Sequence, residues 1–246
     1  MRRVLTLISV MVIGCLVSSS AIAGVGIGGS LGYFSPAYGK INDDLEEINK
    51  EVGTHLELGG GLTLGLELSY DIGSNWRVRG EIFGFNSETS DSFYSYKEYD
   101  FDEDGVVDEI EIVDGTVDVE ASLGALVLSG IYRVSPGRSF SPYVGLGVGL
   151  FSTELKVKPE GEVSWWDRWT EEWEEEPLRG DSDDTSSIGF QVLGGVEYKI
   201  GEKFSVVGEV RYISAKAEGL FKEEGSQGTD VDWSGLSFGL GASYRF

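Results

Sequence analysis

The last eleven residues constrain the fold most. Leu236, Phe238, Leu240, Ala242, Tyr244 and Phe246 share one parity, and Ser237, Gly239, Gly241, Ser243 and Arg245 share the other. A β-strand sends alternate side chains to opposite faces, so this segment has one apolar, aromatic face and one small, polar face. Seven earlier segments alternate in the same way: 25–34, 56–71, 76–86, 117–132, 143–152, 188–200 and 204–214. No long apolar run follows residue 23, so alternation is the only route by which this chain could enter a membrane. The 36 glycines and the 12% aromatic content suit such a structure, with glycine for close interior packing and aromatics for interfacial girdles.

Residues 1–23 read as a secretory signal: Arg2 and Arg3, an apolar run over 4–17, then Ala21, Ile22 and Ala23 before Gly24. The run is short for a membrane-spanning helix. A second reading makes Cys15 the acylated residue of a lipoprotein signal. Cleavage after Ala23 would leave residues 24–246 as one domain with no cysteine, so no disulfide could support it.

The closing strand and the eight-segment pattern resemble the small eight-stranded bacterial outer-membrane barrels, the group of outer-membrane protein A-like, X-like and opacity-like domains. The resemblance implies an all-β fold: an antiparallel, transmembrane, up-and-down barrel in the bacterial outer membrane. It also implies that outer-membrane lipid meets the apolar face. The terminal Phe246 would be the signal read by the barrel-assembly machinery. Connections after the second, fourth and sixth segments are short, and those after the first, third, fifth and seventh are long. Short periplasmic turns and long external loops, here with short helices, are the asymmetry such barrels show. A soluble lipocalin-like barrel would instead turn its polar residues outward.

Parity assigns the faces. In the third segment Trp76, Val78 and Ile82 face lipid opposite Arg77, Arg79 and Glu81. In the fourth, Val117, Val119, Leu123, Val127 and Ile131 face lipid opposite Asp118, Glu120 and Ser122, with Leu126 and Leu128 blurring the pattern. The lumen then holds Glu67, Glu81, Asp118, Glu120, Glu197 and Glu209 against Arg77, Arg79, Lys199, Arg211 and Arg245. Near-balanced charges in a narrow lumen must pair to offset desolvation, so a structural ion-pair network is expected. An eight-stranded interior has room only for side chains, which argues against a general porin.

The four long connections (35–54, 86–115, 152–186 and 214–232) hold 33 of the 42 acidic residues, which argues against nucleic acid as a partner. The second contains Asp100, Asp102, Asp104, Gly105, Val106, Asp108 and Glu111 at the spacing of a twelve-residue EF-hand calcium loop. Asp100, Asp102, Asp104 and Asp108 would give side-chain oxygens, Val106 its carbonyl and Glu111 a bidentate carboxylate to Ca2+. The flanks are not helical, so an isolated loop on a β-hairpin is expected; the alternative is a solvated acidic loop. In the third connection Trp165, Trp169 and Trp173 recur every fourth residue, which on a helix makes one stripe for a surface partner or for packing on neighbouring loops. A weaker helix over 42–52 would pack through Leu45, Ile48 and Val52.

His55 is the single histidine, so a multi-histidine zinc site is excluded. The His-x-Ser pattern of barrel deacylases is absent, since Leu56 and Glu57 follow. The expectation is a non-enzymatic surface barrel with acidic, calcium-binding loops. The alternative is a narrow channel or hydrophobic-ligand barrel of the outer-membrane protein W kind.

Overall fold

A computed structural model describes residues 24–101, 107–134, 139–170, 172–221 and 229–246, without the side chains of residues 51 and 52. The signal reading and Cys15 lie outside the described residues. The elements are β1 (Val25–Tyr38), α1 (Lys40–Val52), β2 (Gly61–Ile72), β3 (Trp76–Tyr99), β4 (Glu109–Arg133), β5 (Phe140–Asp167), β6 (Glu172–Pro177), β7 (Asp181–Ile200), β8 (Phe204–Ser214), β9 (Lys216–Leu220) and β10 (Thr229–Arg245). Eight of the strands close a ring in the order β1-β2-β3-β4-β5-β7-β8-β10, with β10 back on β1. Every pairing is antiparallel. The closing strand pairs from Gly26 with Arg245 to Pro36 with Gly235, and the Phe246 N–H donates to the Val25 carbonyl at 3.1 Å. β6 adds to β5 beyond the ring, whereas β9 carries on the course of β8 between β7 and β10, paired with β10 and with Ala217 and Leu220 buried in the core.

The lipid face follows from the alternation. Leu62, Leu64 and Leu66 on β2, Leu146, Val148 and Leu150 on β5, and Phe238 and Leu240 on β10 are all exposed on the outside. At the end with the short turns, Trp76 packs edge-on against Tyr132 at 5.1 Å and Tyr244 against Phe246 at 5.4 Å, forming part of an aromatic girdle.

A membrane-crossing strand needs about 9–11 residues. β3, β4 and β5 have 24, 25 and 28, so over half of each stands beyond the apolar band. Connections 86–115 and 152–186, read from sequence as loops, are therefore largely sheet. Register runs unbroken from Ser87 with Ala121 to Tyr99 with Glu109, and β5 stays on β4 up to Asp167 with Glu109. In water both faces of a strand can be polar, so these segments need no apolar alternation to pair, and the sequence cue is lost.

β4 corrects the face assignment. Val119, Leu123, Val127 and Ile131 are buried inside the barrel, while Leu126 and Leu128 are exposed on the lipid side. Asp118 and Glu120 lie on the outer face above the apolar band, where Glu120 accepts from Lys158 at 2.8 Å. The cause is a change of environment along one strand. Its inner face is apolar from Val119 to Val127 and again at Ile131, whereas its outer face is apolar only within the membrane and polar above it.

Candidate functional site

The lumen is built in two storeys. The lower one, near the short turns, is ionic. Arg77 reaches Asp71 at 2.7 Å and Glu197 at 3.2 Å, and Arg133 reaches Asp71 at 2.9 Å. Glu197 also accepts from Arg245 and, at 2.9 Å, from Ser205. Glu209 takes Arg79 at 2.8 Å, Arg211 at 2.7 Å and the Tyr143 hydroxyl at 2.8 Å. Arg211 reaches Glu81 at 2.8 Å, and Arg79 reaches Glu67 at 3.3 Å. Five arginines thus meet five carboxylates among the described residues. Asp118, Glu120 and Lys199, assigned to this network from parity, take no part; Asp71 and Arg133 replace them. Arg133 was hidden by the inverted reading of β4, and Asp71 by its place at a turn.

The upper storey is apolar. Phe34, Tyr38, Phe83, Phe85, Phe151 and Trp233 are buried together. Trp233 lies 5.4 Å from Tyr38 and 5.8 Å from Phe85, and its Nε1–H donates to the Thr153 hydroxyl at 2.6 Å. The Arg211 guanidinium sits 5.4 Å over the Phe83 ring and joins the storeys. Between them lies a space of about 30 Å³ beside Ser30, Gly32, Glu67 and Glu81, enough for one or two waters.

Helix α1 closes the top. It ends at Gly53 in the left-handed conformation, which lets the chain reverse (φ 78°). The returning segment is bound to the helix by two asparagine side chains. Asn42 exchanges hydrogen bonds of 3.1 Å with the Leu58 N–H and carbonyl, and Asn49 does the same with Leu56 at 2.8 Å. Ile41 and Leu45 face the core. Ile48, expected on that face, is exposed, and the side chain of Val52 lies outside the described residues.

Above the barrel, β3 to β6 form the projecting sheet. Asp108 ties its two hairpins together. Its N–H donates to the Tyr99 carbonyl at 2.8 Å, and its carbonyl accepts from the Arg168 N–H at 2.9 Å. Its carboxylate accepts from the Phe101 N–H at 2.9 Å and from Arg168 Nη1 at 3.0 Å. Glu111, in β4, accepts from the Tyr99 hydroxyl at 3.2 Å. Desolvation first, and the Glu111 carboxylate next, raise the Tyr99 phenol above its ordinary pKa, so it remains a donor. Asp100 is exposed just after β3. Asp102, Asp104 and Val106 of the calcium motif lie outside the described residues. No group of three metal-ligating side chains converges among the described residues.

The tryptophans are not on a helix. Trp165 and Trp166 are neighbours in β5 and point to opposite faces, Trp166 stands opposite Trp173 of β6, and Trp169 is in the turn between. Asp167 accepts the N–H groups of Trp169 at 2.6 Å and Thr170 at 3.1 Å. That side-chain-closed turn reverses the chain, and cross-strand aromatic pairing outweighs the every-fourth spacing. His55 and Asp91 are 3.7 Å apart on the exterior. Asp91 is instead committed to backbone: the N–H groups of His55, at 2.7 Å, and Ser92, at 2.8 Å, lower its pKa.

The barrel belongs with known proteins. A family model described as the outer membrane protein beta-barrel domain matches residues 5–246. No curated protein matches. Among solved structures, Neisserial surface protein A is similar at 14% identity over 91% of this chain and 98% of that one, with a TM-score of 0.47. OprG of Pseudomonas aeruginosa shows 19% identity over 91% and 96%, with a TM-score of 0.45. Outer Membrane Protein W of E. coli shows 17% over 92% and 100%, with a TM-score of 0.39. The eight-strand ring and the match over nearly the whole length agree: the chain belongs to the outer membrane protein beta-barrel domain family, and its place is the bacterial outer membrane.

Proposed function

We propose that this barrel is a non-enzymatic anchor that holds an acidic sheet away from the outer membrane for contact with a partner. The observation that carries this is the continuation of β3, β4 and β5 well past the apolar band, above a lumen filled at two levels. Sheet pairing makes the extension stiff, so it presents a fixed surface. We further propose that Ca2+ binds the 100–111 segment through Asp100, Asp102, Asp104, Val106, Asp108 and Glu111, at the weak end of about 10⁻⁴–10⁻³ M. Arg168 holds Asp108, so the cation has to displace it. Titration calorimetry on wild type, Asp100→Ala and Glu111→Ala tests this: binding at millimolar calcium in wild type and its loss in both variants is expected.

Planar bilayers test the main reading. Purified protein should insert and stay electrically silent. Steady single-channel currents would move the function to the second reading, a narrow channel or hydrophobic-ligand barrel. The apolar upper lumen around Trp233 favours that reading, and its packing opposes it.

A further inference from the structure

Three zones follow one another up the outer face of the sheet. The first is the lipid-facing band, which ends near Ile82 on β3 and Leu126 on β4. The second is polar, with Glu88, Asp118, Glu120 and Lys158. The third is apolar again. Tyr94 and Tyr96 of β3, Ile110 and Ile112 of β4, Trp166 of β5 and Trp173 of β6 share this face, because Tyr96 pairs with Ile112, Ile110 with Trp166, and Trp166 with Trp173. Tyr94, Tyr96 and Trp173 are 63%, 48% and 52% exposed. Tyr94 lies about 40 Å along the strand from Ile82, so lipid of the same membrane does not cover it.

The patch adjoins an open edge. β3 pairs with β2 only as far as Phe85 with Thr63. Just above, the 54–60 segment lies alongside, with the His55 N–H on Asp91 and the Glu57 N–H on Thr89 at 3.3 Å. Beyond that, residues 93–99 have β4 on one side and no strand on the other among the described residues. Such an edge is a template for an added strand. Glu98, Asp114, Glu162 and Glu175 ring the patch on the same face. A second copy would bring the same acids against them, whereas a basic partner would be attracted.

We propose that the β3 edge and the Tyr94–Tyr96 face dock an extended, basic segment of a partner polypeptide as an additional strand. Its alternate apolar side chains lie on the aromatic patch and its lysines or arginines meet the carboxylate ring. The inference rests on the projecting sheet being the working surface.

The test uses the full-length barrel in lipid nanodiscs and three fluorescent peptides of about ten residues, the length of a long strand. The first alternates lysine and valine, the second has the same composition in two blocks, and the third is the alternating peptide N-methylated at every second residue. The alternating peptide should bind with an affinity that falls as salt rises. The blocked and N-methylated peptides should bind far more weakly. Tyr94→Ser with Tyr96→Ser, both exposed and thus compatible with folding, should weaken the alternating peptide roughly tenfold or more. Equal binding of all three peptides, an unaffected double variant, or self-association that the double variant abolishes would each overturn the proposal. Absence of peptide binding with a silent bilayer overturns strand addition alone, whereas steady currents overturn the surface reading itself.

Discussion

Arg79 is the residue on which the lower lumen turns. It donates to Glu209 at 2.8 and 3.0 Å, lies 3.3 Å from Glu67 and 3.5 Å from Glu81, and its side chain is 5% exposed. Replacing it with methionine keeps most of the volume and removes the charge. Glu209 then retains Arg211 and Tyr143, and Glu81 retains Arg211. Glu67 has no other ion pair among the described residues, so it is left as an uncompensated buried carboxylate. Breaking a buried pair on one side costs about 3–5 kcal/mol. Arg79→Met should therefore lower stability by about that amount. Adding Glu67→Gln should restore part of it, with a coupling of about 1–3 kcal/mol, because the orphaned charge is gone. Urea unfolding in lipid vesicles, followed by tryptophan fluorescence and heat-modifiable gel migration, measures both. If Glu67→Gln has the same effect in wild type and in Arg79→Met, within about 0.5 kcal/mol, the ion-pair account of the plug is wrong.

Three further outcomes are expected. Trp233→Phe removes the bond to Thr153 and leaves a buried hydroxyl unpaired, which should cost about 1–3 kcal/mol and raise hydrogen exchange in α1 while the barrel stays inserted; unchanged exchange in α1 would count against the two-storey packing. Gly161 has φ 144°, and a Cβ there would lie 2.2 Å from the Asp114 carbonyl, so Gly161→Val should expose the β5–β6 hairpin to protease and spare the membrane-embedded core; a resistant hairpin would show that the close approach is not required. A lipid-soluble maleimide should label Leu126→Cys in vesicles but not Val127→Cys, and the reverse would restore the opposite facing of β4.

The parts of this fold that were legible in the sequence are those whose two faces meet two different solvents. β8 spans Phe204–Ser214, as its alternation indicates, because lipid on one side and a charged lumen on the other enforce opposite chemistries. The same contrast revealed eight of the ten lower-lumen charges: Glu67, Arg77, Arg79, Glu81, Glu197, Glu209, Arg211 and Arg245. Where the contrast disappears, so does the signal. Residues 88–96 and 152–163 are strand beyond the membrane, and their acids and serines look like loop, whereas the β-hairpin expected around the 100–111 motif is present in the pairing of Tyr99 with Glu109. β4 fails more instructively. It crosses from membrane to water with its inner parity apolar in both halves, and only its outer face changes, from leucine to acid, so a single pattern fitted to 117–132 takes the continuous apolar parity for the lipid face and Leu126 and Leu128 for exceptions. The tryptophans at every fourth position misled for a related reason. Helical spacing is evidence for a helix only if the intervening residues do not supply a turn, and Asp167 supplies one. A strand that outgrows its membrane should therefore be read with one facing throughout, and with the chemistry expected of its outer face reset wherever the outward solvent changes. Read that way, residues 86–99, 109–116 and 152–167 become a paired sheet that continues the barrel wall beyond the apolar band.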